Sequence, residues 1–396
     1  MPIFPFFDEI CSEKGTVDIA PAATSSLRKP LQTKLFVISL SFLSFQIVNI
    51  MKFSALALLA LAVPAHSAMF FNRVSTHLVC TQDDPTCNTD TETSAEIVDV
   101  TPDGNTAIFS DSPGERLGLV DISNLASPTA DGVIDVGGEP TSVAIPPIGG
   151  FVVTCINTSP DFVNPSGMMK VFDLSDNSMT VEIDIGGQPD AVAISDDSRF
   201  IVIAMENERN EDINVDGVEG GLPQLPAGFV WVIDTTGDYA SDANWVITKV
   251  ELTNLPGVLY PTDPEPEFVH INSANEAVVT LQENNALVTI DLATASVISS
   301  FTAGSVSLTQ IDTVEEDIID QTSSQDDRLR EPDAVTWIND EYFVTADEGD
   351  LDGGSRTITM YMKDGTAVWN SGNELEHLAV KYGHYPEGRS ENKGMF

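Results

Sequence analysis

Positive charge is what this sequence has least of. Its 396 residues hold 18 Lys and Arg against 61 Asp and Glu, so the formal net charge is −43. A field of that sign repels phosphates, which excludes nucleic acid as a partner. The apolar fraction of 42% and the charged fraction of 20% are those of an ordinary globular protein, so the acidity does not mark a disordered tail.

The usual signatures of catalysis are missing as well. The sequence has no Gly-x-Ser-x-Gly, no His-Glu-x-x-His, no Cys-x-x-Cys and no Gly-rich phosphate loop before a helix. His377 and His384 lie in or next to the one stretch with helical character, residues 373–382, where packing or surface exposure is the ordinary role of histidine. No catalytic nucleophile can be assigned.

Cysteine is scarce, with four in the chain. Cys80 and Cys87 are separated by a short polar loop, which is compatible with a local disulfide in an oxidising compartment. Cys155 then has no partner, and its apolar surroundings in the sequence predict a buried free thiol. Asn157 opens the sequon Asn-Thr-Ser, which predicts glycosylation in an organism that glycosylates secreted proteins.

A targeting segment precedes the fold. Residues 51–68 have the pattern of a signal peptide, with Lys52 as the basic start, an apolar centre over residues 53–63, and the small residues Ala65 and Ser67 before the cut. This pattern predicts a secreted or cell-surface protein, extracellular or periplasmic.

The segment before this signal is a second apolar stretch, residues 35–50. A signal anchor that spans both stretches is one interpretation. We expect instead that translation starts at Met51, that residues 1–50 are an extension of the reading frame, and that the mature domain, residues 69–396, has no membrane span.

One short strand pattern returns five times in the mature domain, and it is the strongest signal in the sequence. The copies lie at residues 95–100, 140–145, 189–194, 266–271 and 332–337. Each copy is followed by a turn and by further short apolar strands, and the first copies follow each other at a period of about 45 residues, typical of a propeller blade. We therefore predict an all-β fold, a β-propeller of WD40/YVTN-like blades.

Two longer spacings carry insertions, at residues 210–228 and 309–330. The alternative fold is a β-sandwich with coincidental spacing, but a sandwich gives no reason for the same strand start to return. The five copies of the strand pattern predict five blades in this sequence.

Acidic side chains return at fixed places in these blades. In an up-and-down blade the start of the first strand and the end of the second share one edge, so their carboxylates gather around the central channel. The set comprises Glu139, Asp190, Glu265, Glu267, Glu331 and Asp333 at first-strand starts, and Asp111, Glu115, Glu206, Glu208, Glu283, Asn284, Asp347, Glu348, Asp350 and Asp352 at second-strand ends. Carboxylates so close repel one another unless a cation or proton intervenes, which favours Ca²⁺.

Two loops sharpen the calcium prediction. Asp212, Asn214 and Asp216 have the Asp-x-Asn-x-Asp-Gly spacing of a calcium loop, without the acidic twelfth residue of an EF-hand. Residues 347–354 offer a similar density of oxygens. The predicted metal ligands are Asp212, Asn214, Asp216, Glu206, Glu208, Asp347, Glu348, Asp350 and Asp352. The plainer interpretation is that acidic loops only keep a secreted domain soluble.

Arginine side chains are candidates for an anion-binding site in so acidic a chain. Arg356 and Arg209 are predicted to orient an anion such as phosphate. Their alternative role is to neutralise neighbouring carboxylates.

Several longer motifs resemble those of the choice-of-anchor I family. They include Gly-Gly-Glu-Pro-Thr-Ser-Val at 137–143, Glu-Asn-Glu-Arg-Asn-Glu-Asp at 206–212, Ala-Asp-Glu-Gly-Asp-Leu-Asp-Gly-Gly-Ser-Arg at 346–356 and Arg-Ser-Glu-Asn-Lys-Gly at 389–394. The family includes proteins called mesenchyme-specific cell surface glycoproteins and bacterial members labelled alkaline-phosphatase-like or phytase-like esterases. The resemblance implies a secreted or surface-anchored propeller of about seven blades, of which this chain would hold an incomplete part.

Two functions from different classes follow. The first is an extracellular module that binds a divalent cation and presents its acidic face to a ligand or matrix component. The second is a calcium-dependent phosphoester hydrolase, in which Ca²⁺ neutralises the phosphate and lowers the pKa of the attacking water. A cofactor-linked dehydrogenase-type propeller is a third, weaker possibility.

Overall fold

The computed structural model describes the backbone of residues 16–19 and the residues 73–82, 84–88, 90–210, 212–349 and 351–385. The predicted signal peptide, residues 51–68, and the predicted ligand Asp350 lie outside the described residues.

The regular secondary structure of the described residues is mostly antiparallel strand. Two strands at the start, β1 (Thr16–Ile19) and β2 (Ser75–Leu78), pair with each other. The remaining strands, in chain order, are β3 (Val98–Val100), β4 (Thr106–Asp111), β5 (Arg116–Asp121), β6 (Thr129–Asp135), β7 (Glu139–Ala144), β8 (Phe151–Asn157), β9 (Gly167–Asp173), β10 (Ser178–Asp184), β11 (Val192–Ile194), β12 (Phe200–Met205), β13 (Asn214–Val215), β14 (Val218–Glu219), β15 (Phe229–Asp234), β16 (Val246–Glu251), β17 (Val269–Ile271), β18 (Glu276–Leu281), β19 (Ala286–Asp291), β20 (Ser296–Thr302), β21 (Ser305–Ile311), β22 (Ser323–Leu329), β23 (Pro332–Asn339), β24 (Tyr342–Asp347), β25 (Thr357–Met362) and β26 (Ala367–Asn370).

Within the described residues these strands build five four-stranded sheets, and in each sheet the spatial order follows the chain. We call them sheet 1 (β3–β6), sheet 2 (β7–β10), sheet 3 (β11, β12, β15 and β16), sheet 4 (β17–β20) and sheet 5 (β23–β26). This is the up-and-down order of a propeller blade, so the all-β, propeller-like expectation is confirmed.

Burial explains why these segments are strands. The second strand of each sheet is mostly buried, as in β12, where every residue is buried. The fourth strands alternate or are exposed, as in β16, which leaves Val246 and Ile247 partly in solvent. Strands buried on both faces read as continuous apolar runs, whereas half-buried strands alternate.

An apolar layer fills the space between each pair of successive sheets. Ile108 of sheet 1 packs in one cluster with Val152 of sheet 2, and the same holds for each following pair. The first strands of the sheets lie next to one another in chain order: β3 contacts β7, β7 contacts β11, β11 contacts β17, and β17 contacts β23. The five sheets are therefore arranged side by side around their first strands.

The two ends of the first strands define two edges. At one edge, called the acidic edge below, first-strand starts pair with second-strand ends, as in Glu139 with Asn157 and Pro332 with Asp347. At the opposite edge, hydrogen bonds join each sheet to the next: Ile145 N to Asp99 Oδ2 (2.7 Å), Ile148 N to Ser198 Oγ (3.0 Å), Asn275 Nδ2 to Asp197 Oδ2 (2.9 Å) and Ser273 Oγ to Asp340 Oδ1 (2.9 Å).

Both predicted insertions contain small hairpins, β13–β14 and β21–β22. The predicted helical stretch is helix α1 (Glu374–Tyr382), which ends at Gly383 in the left-handed conformation (φ 76°). No helix among the described residues is both long and apolar enough to cross a lipid bilayer.

Candidate functional site

A polar cavity of about 250 Å³ opens where the acidic edges of sheets 3, 4 and 5 meet. Its lining is made of Asp190, Glu206, Glu208, Arg209, Glu265, Glu267, Gln282, Glu283 and Asp333. Seven carboxylates thus surround one arginine and one amide. The first-strand starts and second-strand ends of these three sheets supply them all, which is the placement that the repeat predicts.

The strand ends explain how each side chain reaches the cavity. Asp190 precedes β11, and Glu206 follows β12 in the same sheet. Glu267 precedes β17 and Glu283 follows β18, whereas Asp333 lies within β23. Because β11, β17 and β23 are consecutive neighbours, their starts converge. Glu139, Asp111 and Glu115, which belong to sheets 1 and 2, do not line this cavity.

Two asparagines hold these strand ends in place: Asn284, which the repeat already assigns to a second-strand end, and Asn207, which the sequence analysis missed. Asn207 Oδ1 accepts a hydrogen bond from Gln188 N (2.9 Å), and its Nδ2 donates to Ala227 O (3.0 Å). Asn284 Oδ1 accepts from Glu265 N (2.9 Å), and its Nδ2 donates to two carbonyl oxygens. The recurrence of Glu-Asn just after a second strand, at 206–207 and 283–284, is the signal that could have identified Asn207.

Arg209 lies deep in the wall of the cavity, with a side chain only 4% exposed. Its Nε lies 3.2 Å from Asp263 Oδ2, and its Nη1 lies 2.6 Å from Glu265 Oε2 and also contacts Glu283 Oε2. Its backbone N donates to Glu265 Oε1 (2.7 Å). Arg209 is therefore ion-paired with three carboxylates, and anion binding by this residue stays a prediction.

The other half of the cavity has carboxylates without a counter-charge. Glu267 is 8% exposed, and within the described residues its carboxylate has neither a hydrogen-bond donor nor an ion-pair partner. The carboxylate of Asp190 has no such partner in that part of the chain either. Leaving a buried polar group unsatisfied is costly, so an arrangement of this kind calls for a ligand.

Burial and mutual repulsion shift the pKa values of these groups in one direction. Burial raises the pKa of Asp190 to about 8, with repulsion from Asp333 and Glu208 adding to it. The pKa values of Glu206 and Glu267 are raised well above their usual range, first by burial and then by neighbouring carboxylates. Without a cation, burial and repulsion therefore disfavour the ionised form of each of these carboxylates.

The donor set is suited to a hard cation. It offers carboxylate oxygens and no sulfur or imidazole nitrogen, which matches the ligands of Ca²⁺. Among the described residues, no group of three or more His, Cys, Asp or Glu side chains is arranged to hold a metal ion directly. A cation that fits this cavity would therefore keep part of its water shell between itself and the carboxylates.

The first predicted calcium loop has a different local structure. Asn214 begins β13, and its Oδ1 accepts from Gly217 N (2.8 Å) across the β13–β14 turn. Asp216 occupies that turn in the left-handed conformation (φ 53°) and is exposed, as is Asp212. The alternating Asp-x-Asn-x-Asp-Gly spacing thus belongs to a tight hairpin outside the cavity.

The second predicted loop is also apart from the cavity. Asp347 is fully buried, and its carboxylate accepts from the hydroxyls of Thr345, Thr357 and Thr359 at 2.5–2.6 Å. Burial raises its pKa to about 6.

The neighbours of Asp347 in this loop lie near the rim. Glu348 Oε2 accepts from Gln282 Nε2 (3.1 Å), and Gln282 itself lines the cavity. Asp352 is exposed, and its backbone N donates to Glu331 Oε1 (2.8 Å). Of the eight predicted ligands that the structure describes, Glu206 and Glu208 line the cavity. Glu208 Oε2 accepts a hydrogen bond from Gln188 Nε2 (3.0 Å).

Arg356, the other predicted anion-binding residue, is 2% exposed and lies outside the cavity lining. Its Nη1 lies 2.9 Å from Glu376 Oε2 on α1 and donates to Asp312 O (2.8 Å). It ties the helix to the core of the last sheet.

The structure also gives the positions of the predicted disulfide, the free cysteine and the glycosylation sequon. Cys80 and Cys87 form a disulfide with a Cα–Cα distance of 4.7 Å, and Cys155 is a buried free thiol. Asn157 ends β8 at the acidic edge, half-buried, with its Oδ1 accepting from Ser159 N (2.9 Å). Its glycosylation stays a prediction.

Comparison with known proteins gives a family. The family model for the choice-of-anchor I domain matches residues 96–353. No curated protein matches the chain. Among solved structures, the hydrazine synthase of Kuenenia stuttgartiensis is similar at a TM-score of 0.43 and 17% identity, over 68% of this chain. The chain spans 63% of the length of that protein.

Proposed function

Since this chain belongs to the choice-of-anchor I family, we propose that it is an extracellular or cell-surface module that binds a divalent cation, most simply Ca²⁺. In this proposal the five sheets are blades of a propeller, and the acidic cavity lies at the mouth of its central channel. Family membership supports the extracellular location. An expected total of about seven blades stays a prediction.

One observation carries the cation proposal. Glu267 is nine-tenths buried, and its carboxylate has no partner among the described residues, while Glu206, Asp333 and Asp190 all repel its charge. A fold gains nothing from holding an unpaired carboxylate among others of the same sign. A bound cation removes this penalty, since it supplies the missing positive charge to several carboxylates at once.

The size of the cavity favours a hydrated ion. One water occupies roughly 30 Å³ of liquid volume, so a cavity of about 250 Å³ has room for an ion together with several waters. Ca²⁺ takes six to eight oxygen ligands in flexible geometry and accepts water among them. Mg²⁺ would also keep water, but it demands a more regular octahedral shell.

Calcium titration tests the proposal. We expect the purified protein, dialysed against chelator, to bind Ca²⁺ in isothermal titration calorimetry and to melt at a higher temperature in Ca²⁺ than in EDTA. Asp190→Asn should weaken binding at least tenfold, whereas Asp131→Asn, a change at an exposed site on β6, should leave binding unchanged. Absence of heat and of any change in melting temperature would overturn the proposal.

The phosphoester hydrolase is the alternative, and the arginines give it less support. A phosphate clamp needs a guanidinium that is open to the substrate, but Arg209 and Arg356 are both buried and ion-paired. Hydrolysis of a phosphomonoester that depends on Ca²⁺ and stops with EDTA would favour this alternative over a binding module.

A further inference from the structure

Arg209 brings a positive charge of the protein's own into the cavity. Three carboxylates lie around its guanidinium, those of Asp263, Glu265 and Glu283, and the side chain of each is at most 15% exposed. Its Nη2 also donates to Asp263 O. The guanidinium thus has the surroundings that a bound cation would have, with oxygens on several sides.

Hydrogen bonds to the backbone around Arg209 also hold this residue in place. Arg209 N donates to Glu265 Oε1, and Asn207, two residues earlier, is held by hydrogen bonds to Gln188 N and Ala227 O. Asn284 holds the facing strand start through Glu265 N. Arg209 is therefore built into the wall and cannot leave the cavity without breaking these contacts.

Two groups of carboxylates in and beside the cavity consequently differ in their counter-charge, and we call them its two halves. Asp263, Glu265 and Glu283 share the charge of Arg209. Asp190 and Glu267 form no ion pair with it or with any other cation in the described part of the chain. The first half already holds its counter-ion, and the second half lacks one.

We propose that Arg209 is a resident counter-ion that occupies one of two cation-binding halves of this cavity and confines the exchangeable cation to the other half. This inference rests on the proposed function, and it adds a residue that determines where, and how many, cations bind. A neutral side chain at position 209 would expose three clustered carboxylates to solvent, and a second divalent ion would take the place of the guanidinium.

The test counts bound ions in variants of the full chain. Equilibrium dialysis against Ca²⁺ measures the stoichiometry of the wild type, Arg209→Gln and Arg209→Lys. We expect Arg209→Gln to bind one ion more than the wild type, and Arg209→Lys, which keeps the charge, to bind the wild-type number. Arg116→Gln is the matched control, because Arg116 pairs with Asp111 (2.8 Å) in sheet 1, away from the cavity.

The number of bound ions distinguishes failure of this inference from failure of the proposed function. An unchanged count in Arg209→Gln, with a wild type that binds Ca²⁺, overturns this inference and leaves the proposed function standing, whereas a wild type that binds none overturns both. If Arg209→Gln is unfolded in EDTA, we expect Ca²⁺ to restore its folding, measured by circular dichroism and melting temperature. A variant that stays unfolded at saturating Ca²⁺, while Arg209→Lys folds, would overturn the inference.

Discussion

Replacing Glu267 by Gln should stabilise the cation-free protein while it weakens cation binding. The carboxylate is 8% exposed and has no partner among the described residues, so its ionised form is held in the fold at a cost. Glutamine keeps the shape and removes the charge. An unsatisfied buried polar group costs about 1–3 kcal/mol, and a charged one more. At about 2 °C per kcal/mol for a large domain, the melting temperature in EDTA should rise by roughly 2–6 °C.

The sign of the pH dependence makes this prediction specific. Burial and repulsion raise the pKa of Glu267 in the folded state above its unfolded value. The stability linked to this group is therefore full below the unfolded pKa and is lost as pH rises through the folded pKa. In EDTA the advantage of Glu267→Gln over the wild type should be near zero at pH 4 and largest at pH 9.

Differential scanning fluorimetry from pH 4 to pH 9, with and without Ca²⁺, measures both effects. Saturating Ca²⁺ should reverse the order, because the wild type gains a counter-ion that the glutamine variant binds more weakly. Asp131→Asn, at an exposed position, should follow the wild type throughout. A glutamine variant that is less stable than the wild type at pH 9 in EDTA would refute the claim that this carboxylate lacks a partner.

Two further predictions concern the frame of the site. Asn284→Ala should lower the free energy of unfolding by about 2–4 kcal/mol in urea titration, because it leaves one buried N–H and two carbonyl oxygens without their partner. Asn124→Ala, at an exposed turn, should cost less than 1 kcal/mol, and equal losses would contradict the role of Asn284. Burial raises the pKa of the Cys155 thiol, so a thiol reagent should label it only after denaturation. Rapid labelling of the native protein at pH 8 would contradict this placement.

The strands were predictable because the signal is local. A strand such as β12 or β15 is indicated by a run of apolar residues, in which Val, Ile and Phe predominate. The predicted segments differ from the observed strands mainly at their ends. The last strand of sheet 5, β26, was missed because Ala367–Asn370 is short and mostly exposed, so it has little of the apolar pattern on which the prediction depends.

The acidic edge was also predictable, because it follows from strand direction alone. Once the four-stranded repeat is recognised, the position of Asp190 or Glu267 relative to its strand fixes the edge on which it lies. What the repeat cannot tell is which sheets contribute to a cavity. Asp111, at the same edge of sheet 1, is occupied by Arg116 Nε (2.8 Å) and by Ser94 N (2.9 Å).

The individual ligands were harder to predict, since spacing does not distinguish a metal loop from a tight turn. Asp212, Asn214 and Asp216 have the periodicity of a calcium loop, but a two-residue turn such as Asp216-Gly217 also favours Asp and Gly for their left-handed conformations. For Asp347 the sequence spacing does not reveal the hydrogen-bond partners of the carboxylate. Its acceptor capacity is used by three threonine hydroxyls that come from its own and the next strand.

A cavity with seven carboxylates needs a frame that resists their repulsion. At the acidic edge, Asn207 and Asn284 tie strand ends together, and Arg209 offsets part of the charge. At the opposite edge, hydrogen bonds such as Asn275 Nδ2 to Asp197 Oδ2 join consecutive sheets and keep them from spreading. These contacts are independent of any cation, so they hold the unpaired carboxylates in position before it arrives. Cation binding then needs little rearrangement of the protein. The affinity is higher as a result, because a preorganised site loses less conformational entropy when its ligand binds.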